Sequence, residues 1–315
     1  MPILWLKSGI FDPRGLSVPD PQSLQNVHDH DTLSPRDLAL ALGVSESSVR
    51  RWVDRGEIPS HRTRGGHRRI ALADALAYAR RAGLPWQHIE SPAGGFPAPG
   101  SPASIEALER ALRAGDERGG RSLLLAEYLA GRGVAELFDL WIRPAMAQIG
   151  ELWQGGMEGI LVEHRATAVC LGIVHRLGTL LPTERDLRAV GCGLSGDPYS
   201  LPSAMARVVL ESQGFQAIDL GPDTPLAVLE EAVAKFSPHL VWLALSAAPD
   251  PKERRKELIG LLERLPAGPT LALGGRALRA LDIPPHERLH QADSMRELSA
   301  LALGLRSASK PKLGA

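Results

Sequence analysis

The sequence predicts a multi-domain chain: an α-helical, winged helix-turn-helix unit first, an all-helical segment of about four helices second, and a parallel, helix-flanked α/β sheet last. Three observations predict it. Between Leu33 and Leu84 ten arginines (36, 50, 51, 55, 62, 64, 68, 69, 80 and 81) face five acids (37, 46, 54, 57 and 74), whereas over all 315 residues 36 Lys and Arg balance 36 Asp and Glu. Residues 91–103 read SPAGGFPAPGSPA, whose four prolines and three glycines preclude regular structure and give a partly stiff linker. From Arg188 onward short apolar runs alternate with helical stretches, the pattern of parallel strands with helices between them.

A length of 315 residues, at about 100–200 per domain, argues for two or three units, and a hydrophobic share of 44% is enough to bury their cores. Residues 1–31, with several Pro and Asp and no apolar period, read as a mobile N-terminal tail. The expected units are then 32–84 for the winged helix, 85–103 for the linker, 104–184 for a helical bundle, 185–307 for the α/β part and 308–315 for a C-terminal tail. No run approaches the ~20 apolar residues of a membrane span, and Met1 to Lys7 lacks the basic-then-apolar design of a signal peptide. The expectation is a cytoplasmic chain with no membrane partner. Cys170 and Cys192 have neither a C-x-x-C partner nor metal-ligand spacing, so they are expected as buried small apolar residues.

In the basic segment, Ser34-Pro35-Arg36-Asp37 supplies an N-cap, a proline at the first helical position and an acid three residues on, a capping box that opens a helix to about Ala41. Gly43 ends it. Ser45 caps a second helix through Trp52 and Arg55, closed by Gly56, so that a tight turn joins the two helices. The second helix projects Ser47, Ser48, Arg50 and Arg51. Ser60 to Ile70 then gives two short basic arms about a Gly-Gly turn, which suits a β-hairpin wing whose charges lie along phosphates. Side chains at a helix N-terminus reach base edges in the major groove while arginines fix register on the backbone. The segment resembles the winged-helix module of MerR-type regulators in Arg51-Trp52, Gly56-x-Ile58-Pro59 and the wing Arg62-Thr63-x-Gly65-Gly66-His67-Arg68-Arg69-Ile70. That resemblance assigns Ser48, Arg50, Arg51, Arg62, Arg64, His67, Arg68 and Arg69 to DNA contact. Trp52 and Ile70 are expected to pack the small core.

Past the linker, residues 105–181 carry helix-spaced apolar positions such as Leu137, Trp141, Ile149 and Leu152. Strands are expected in the runs beginning at Ala189, Ala217, Leu240 and Thr270, and helices over 203–213, 225–236, 251–264 and 293–305. Ligands on such sheets bind beyond the carboxyl ends of the strands. The whole order resembles the light-responsive, cobalamin-binding repressors of the CarH/LitR type, in which a winged helix, a four-helix bundle carrying Trp-x9-Glu-His and a Rossmann-like cobalamin domain follow one another. The resemblance covers about residues 33–305. It implies that Trp153, Glu163 and His164 cap the upper face of a corrin. It also implies that the loop Leu220 to Pro225 follows the second strand, that Ser246 lies near the nucleotide tail, and that Gly274 and Gly275 are the family's paired glycines. Lacking side chains, such glycines allow backbone to approach a bulky ligand.

The chain departs from that family at its defining motif. Where Asp-x-His-x-x-Gly is expected, it reads Asp197-Pro198-Tyr199-Ser200-Leu201-Pro202, with Tyr199 placed 35 residues after His164 as the family pattern requires. The histidine that follows the tryptophan in light-sensing members is Gln154 here. Neutral imidazole is a good transition-metal ligand at pH 7, whereas a phenol, with an ordinary pKa of about 10, must first lose a proton. Pro202 stands where the family uses glycine to pass the nucleotide tail. His-ligated cobalamin is therefore not expected. Three outcomes remain open: cobalamin such as adenosylcobalamin held without protein ligation, another ligand, or none. Among other ligands are haem, with Tyr199 as candidate axial ligand because phenolate ligates ferric haem, and bilin.

The function expected is DNA-binding regulation of transcription, as a repressor, with double-stranded operator DNA as partner. Isolated winged helices bind weakly, so pairing through a homo-dimer or tetramer is expected. A corrinoid methyl carrier is the enzyme-class alternative, disfavoured because that chemistry normally uses the missing histidine. No catalytic triad order, G-x-x-x-x-G-K-[ST] or G-x-G-x-x-G supports another reaction, and the chain is read as no enzyme. A protein-binding antirepressor would keep the sensor without the DNA step, and the complete wing argues against it.

Overall fold

The computed structural model describes residues 32–86, 105–152, 156–181, 186–248 and 250–309. The expected N-terminal tail, the linker from residue 87, and Trp153 with Gln154 lie outside the described residues.

The first unit comprises β1 (Thr32–Leu33), α1 (Pro35–Leu42), α2 (Glu46–Asp54), β2 (His61–Arg62), β3 (Arg68–Ala71) and α3 (Leu72–Ala82). The capping box at Ser34 forms in full, and Gly43 closes α1 with φ +64°, a conformation that glycine adopts without strain. In the hairpin, His61 pairs with Arg69 and Arg62 with Arg68, and Gly66 takes the left-handed position of the turn at φ +78°. β1 pairs antiparallel with β3 through Leu33 and Ile70. That short strand was not expected, since two residues carry no readable alternation. Leu38, Leu42, Val49, Ile58, Ile70 and Leu76 form the core, with the rings of Trp52 and Tyr78 packed 4.9 Å apart beside it. Trp86 is buried too, so packing extends past the expected edge at residue 84.

The helical unit contains α4 (Ile105–Ala114), α5 (Glu117–Leu129), α6 (Val134–Leu137), a π-helical turn (Phe138–Ile142), α7 (Arg143–Glu151) and α8 (Met157–Thr179). α6, the π turn and α7 follow one another without a break, so the bundle has the four rods expected. Leu108, Leu112, Leu124, Phe138, Ile149 and Ile173 are fully buried between them. Gly120 brings α5 against α8, because a Cβ there would press on Ile173.

The α/β unit alternates β4 (Leu187–Gly193), α9 (Ser200–Ser212), β5 (Phe215–Asp219), α10 (Leu226–Phe236), β6 (Leu240–Ala244), α11 (Pro251–Arg264), β7 (Thr270–Gly274), β8 (Leu289–Ala292) and α12 (Met295–Ser309). All pairings are parallel, in the order β5-β4-β6-β7-β8. β8 is an addition to the expected four strands; it is a four-residue edge strand whose His290 and Gln291 hide the apolar signal. α12 runs to Ser309, into the stretch read as a tail. Alternate residues face opposite sides of the sheet. Ala189, Leu240, Trp242 and Ala272 pack beneath α9 and α12 in a core continuous with the bundle, while Val190, Cys192, Val241, Leu243 and Leu273 pack under α10 and α11. The order reverses between β4 and β6, which places the switch point at the loops after those strands. Among the described residues no helix is long and apolar enough to cross a membrane.

Beyond the shared core, polar contacts also join these units. Asp139, in the π turn, accepts the Met295 and Arg296 amides at 2.9 and 3.0 Å and so caps α12. Arg80, in α3, lies 4.4 Å over the Tyr128 ring and donates to the Gly131 carbonyl at 2.8 Å.

Candidate functional site

Two sites follow from this frame, one on the first unit and one at the carboxyl edge of the large sheet. On the first, Ser45 caps α2 by accepting the Ser48 amide at 3.2 Å, and its hydroxyl lies 2.9 Å from those of Ser47 and Ser48. Arg51 donates to the Ser48 hydroxyl at 3.3 Å, and Arg50 pairs with Glu46 at 2.7 Å, both arginines remaining exposed. Across from them the hairpin presents Arg62, Arg64 and His67 to solvent. Arg68 makes a 2.6 Å ion pair with Asp54, which ties the wing to the end of α2.

Between α1, α2 and the wing runs a groove of about 570 Å³, lined by Arg36, Arg50, Arg62, His67, Arg68 and Arg69 and by the acids Glu46 and Asp54, which pair with Arg50 and Arg68 and leave the lining net cationic. Arg69 Nε is buried without a hydrogen-bond partner, a desolvated donor on a cationic surface. The structure thus brings Arg50, Arg62, His67, Arg68 and Arg69 together, while Ser48, Arg51 and Arg64 are not among the residues that line the groove. Arg36 was not expected in this set. It belongs there because it lies in the first turn of α1, a proximity that its position in the sequence does not display.

At the sheet edge, Asp197 is 1% exposed. Its carboxylate accepts the Tyr199 amide at 3.1 Å and the Ser246 and Ala247 amides at 2.5 and 3.0 Å, joining the loops after β4 and β6 at the switch point. Arg276, directly after Gly274 and Gly275, donates to the Ser246 carbonyl at 2.9 Å and stacks 4.9 Å from the Tyr199 ring. Tyr199 is 43% exposed. The loop after β5 is sewn to the same edge, since Asp223 accepts the Gly196 amide at 2.7 Å and donates its own to the Asp197 carbonyl. The paired glycines serve the chain's own packing: Gly275, at φ +115°, lies against the Leu245 backbone, and a Cβ on Gly274 would stand 3.0 Å from the Ala292 carbonyl.

Deeper under α9, Trp242 is buried with its indole against Gly191, where any Cβ would fall inside the ring system. Its Nε1 donates to the Ser203 hydroxyl at 3.0 Å, and Ser203 donates in turn to Asp219 at 2.8 Å. Neither Trp242 nor Arg276 was singled out from sequence. The one readable sign was a large aromatic in an apolar strand beside the small residues Gly191-Cys192-Gly193.

Glu163 and His164 lie on α8, His164 with its side chain 75% exposed and 3.6 Å from Glu163. Glu163 accepts the Thr167 hydroxyl at 2.9 Å, within its own helix. A cavity of about 440 Å³ opens farther along α8, lined by His175, Arg207 and Asp219 with Leu171, Ser200 and Ala204. Cys170 and Cys192 are buried as expected, and burial pushes both thiols up to about 12, which keeps them protonated at neutral pH. Among the described residues no group of His, Cys, Asp and Glu is placed to hold a metal ion.

A cobalamin held through its metal and its buried nucleotide does not fit these residues. The side chain at position 199 is a phenol whose ring face is covered by a guanidinium, the aspartate beside it is committed to three amides of the chain, and the sheet face next to Pro202 is filled by an indole.

Residues 32–83 match the helix-turn-helix domain family and residues 104–177 the B12 binding domain family. The HTH-type transcriptional repressor CarH of Myxococcus xanthus is 25% identical over 157 residues, or 50% of this chain and 52% of that protein. The chain thus spans about half the length of this curated relative. Among solved structures, the monomethylamine corrinoid protein of Methanosarcina barkeri is 18% identical, with a TM-score of 0.47 over 63% of this chain and 96% of its own. A cobalamin-binding protein from Desulfitobacterium hafniense DCB-2 is 18% identical, with a TM-score of 0.32 over 65% of this chain and 97% of its own. The chain thus carries a match to a helix-turn-helix domain ahead of a match to a B12 binding domain, and it is similar over half its length to a transcriptional repressor.

Proposed function

We propose that the chain is a transcriptional repressor of the MerR type, which binds operator DNA as a homo-oligomer through residues 32–84 and carries a cobalamin-type sensor behind them. The observation that carries this reading is the cationic groove between α1, α2 and the wing, with the unpartnered Arg69 Nε inside it. The serine cluster at the start of α2 and Arg51 present donors suited to base edges, and Arg62, Arg64, His67 and Arg69 present donors suited to phosphate. Arg36 joins the phosphate set. Arg68 serves both as a contact and, through Asp54, as the strut that fixes the wing.

Gel retardation of duplex from the promoter of the chain's own gene tests the reading. Expected is sequence-dependent retardation that weakens steeply with salt, as cation release from phosphates demands. Arg51→Ala should weaken it at least about tenfold and relax base preference, while Arg64→Ala should weaken all sequences alike. Retardation unchanged in both variants would overturn the assignment.

A second reading of the sensor rests on the exposed Tyr199 phenol at the sheet edge. Phenolate is an axial ligand of ferric haem, so a macrocycle other than a corrin is chemically suited to this position. Absorbance after reconstitution with haem, bilin and adenosylcobalamin, repeated after illumination, separates these ligands. A chain colourless with all three is a ligand-independent regulator.

A further inference from the structure

We infer that Trp242 is an internal plug that takes the place of a ligand's planar tail, so that the sheet-edge site admits a tail-free macrocycle and rejects a corrinoid that must bury its nucleotide. The inference rests on the sensor reading above and concerns which corrinoid that site accepts.

The argument begins with Gly191. In the middle of β4 it has no side chain, and the strip of sheet that this leaves bare lies directly beneath α9. A bare strip between a sheet and a helix is a slot for something flat, since interiors close-pack and do not keep voids of ring size. Here the flat group comes from the chain. The Trp242 indole covers Gly191 so closely that a Cβ could not be added, and it is 2% exposed.

The plug is also pinned. A buried indole N–H needs an acceptor. Trp242 Nε1 finds one in Ser203, which is itself fully buried and donates a hydrogen bond to Asp219, whose carboxylate also accepts the Gly221 amide at 3.0 Å. A ligand tail entering this slot would displace the ring, break the buried hydrogen bond from Trp242 to Ser203 and leave the Ser203 hydroxyl without its donor. Pro202, immediately before Ser203 in the first turn of α9, adds a ring where a passing tail would need open backbone. Above the plug, the Asp197, Ser246 and Arg276 ties close the mouth of the same slot without any ligand group. The polar groups of Trp242, Ser203 and Asp197 are thus bonded within the chain, and what stays accessible is the edge around the exposed Tyr199 and the cavity of about 440 Å³ that Ala204 and Asp219 line.

Equilibrium titration of the full chain with cobinamide, which lacks the nucleotide, and with hydroxocobalamin, which carries it, tests the plug. The wild-type chain should bind cobinamide at least about tenfold more tightly, the discrimination expected when one ligand must force its way into a filled core. Trp242→Ala should abolish most of that preference and shift bound cobalamin to the spectrum of a detached base. Trp242→Phe, which keeps a ring in the slot, should preserve the preference and guards against misfolding of the alanine variant, as does circular dichroism of each protein. Equal affinities in the wild-type chain, tighter cobalamin binding, or no corrinoid binding by any of the three proteins would overturn the inference. Retardation of promoter DNA by the same preparations reports on the reader separately, so its loss would indict the DNA assignment and not the plug.

Discussion

Around α2 and the wing, Arg50, Arg51, Arg62, Arg64 and His67 stand exposed, whereas at the edge of the large sheet Asp197, Ser203 and Ser246 are buried and bonded to the chain itself. Both regions are rich in polar groups, and both stand where their folds place ligands. The difference lies in what those groups still have to give. Apart from the buried Arg69 Nε, the cationic surface keeps its donors hydrated until a polyanion arrives, while the sheet edge has already exchanged water for internal partners. A surface of the first kind keeps its donors open to a polyanion, and one of the second kind has its buried polar groups already bonded within the chain.

The sharpest way to break this contrast is Asp197→Ala. It strips the acceptor from three amides, and each buried donor left without a partner costs about 1–3 kcal/mol. Thermal unfolding should show the α/β unit strongly destabilised while DNA affinity at low temperature is retained; a mild effect would mean that the edge is open to water after all. Arg51→Ala should do the reverse, lowering DNA affinity by about 1–3 kcal/mol with no shift in melting temperature. Next comes Ser45→Ala, which removes the α2 cap and should cost the first unit about 1 kcal/mol, read by denaturant unfolding of the full chain. Arg80→Ala should cost about 0.5–1 kcal/mol through the lost contact with Tyr128, and its test is whether reader and bundle then melt at separate temperatures.

The smallest effect concerns the two thiols. Burial raises both above the ordinary value of 9.0 to about 12, so the folded chain holds these protons more firmly than the unfolded one. Their contribution is present in full below pH 9 and is lost as pH climbs toward 12. A thiol reagent at pH 8 should label neither cysteine until denaturant is added. Rapid labelling of Cys192 would show that the sheet opens under α10.

The reader was legible because its signals are local. Ser34 and Asp37 make their capping box three residues apart, Gly43 ends α1, and the arginines of the wing alternate along a hairpin whose turn glycine is adjacent. The α/β unit was legible as a class, since apolar runs and helices alternate, but its site was not. Asp197 meets Ser246 across 49 positions of sequence, and Trp242 meets Ser203 across 39, contacts that only the parallel register creates. Tyr199 could be placed from the spacing to His164, yet nothing local announced that Arg276 would cover it. β8 escaped notice because an edge strand needs only one apolar face, and Leu289 supplies nearly all of it.

Asp139 bears on how a signal could travel. It hangs from the π turn of the bundle and grips the first amides of α12, the last helix of the sheet unit. Pulling the two apart would strand a carboxylate that is almost wholly enclosed, 6% exposed in its side chain, together with two helix-end donors. The bundle is therefore tied on one side to the α12 terminus through Asp139 and on another, through Tyr128 of α5, to Arg80 of the helix-turn-helix unit, so it stands in contact with both.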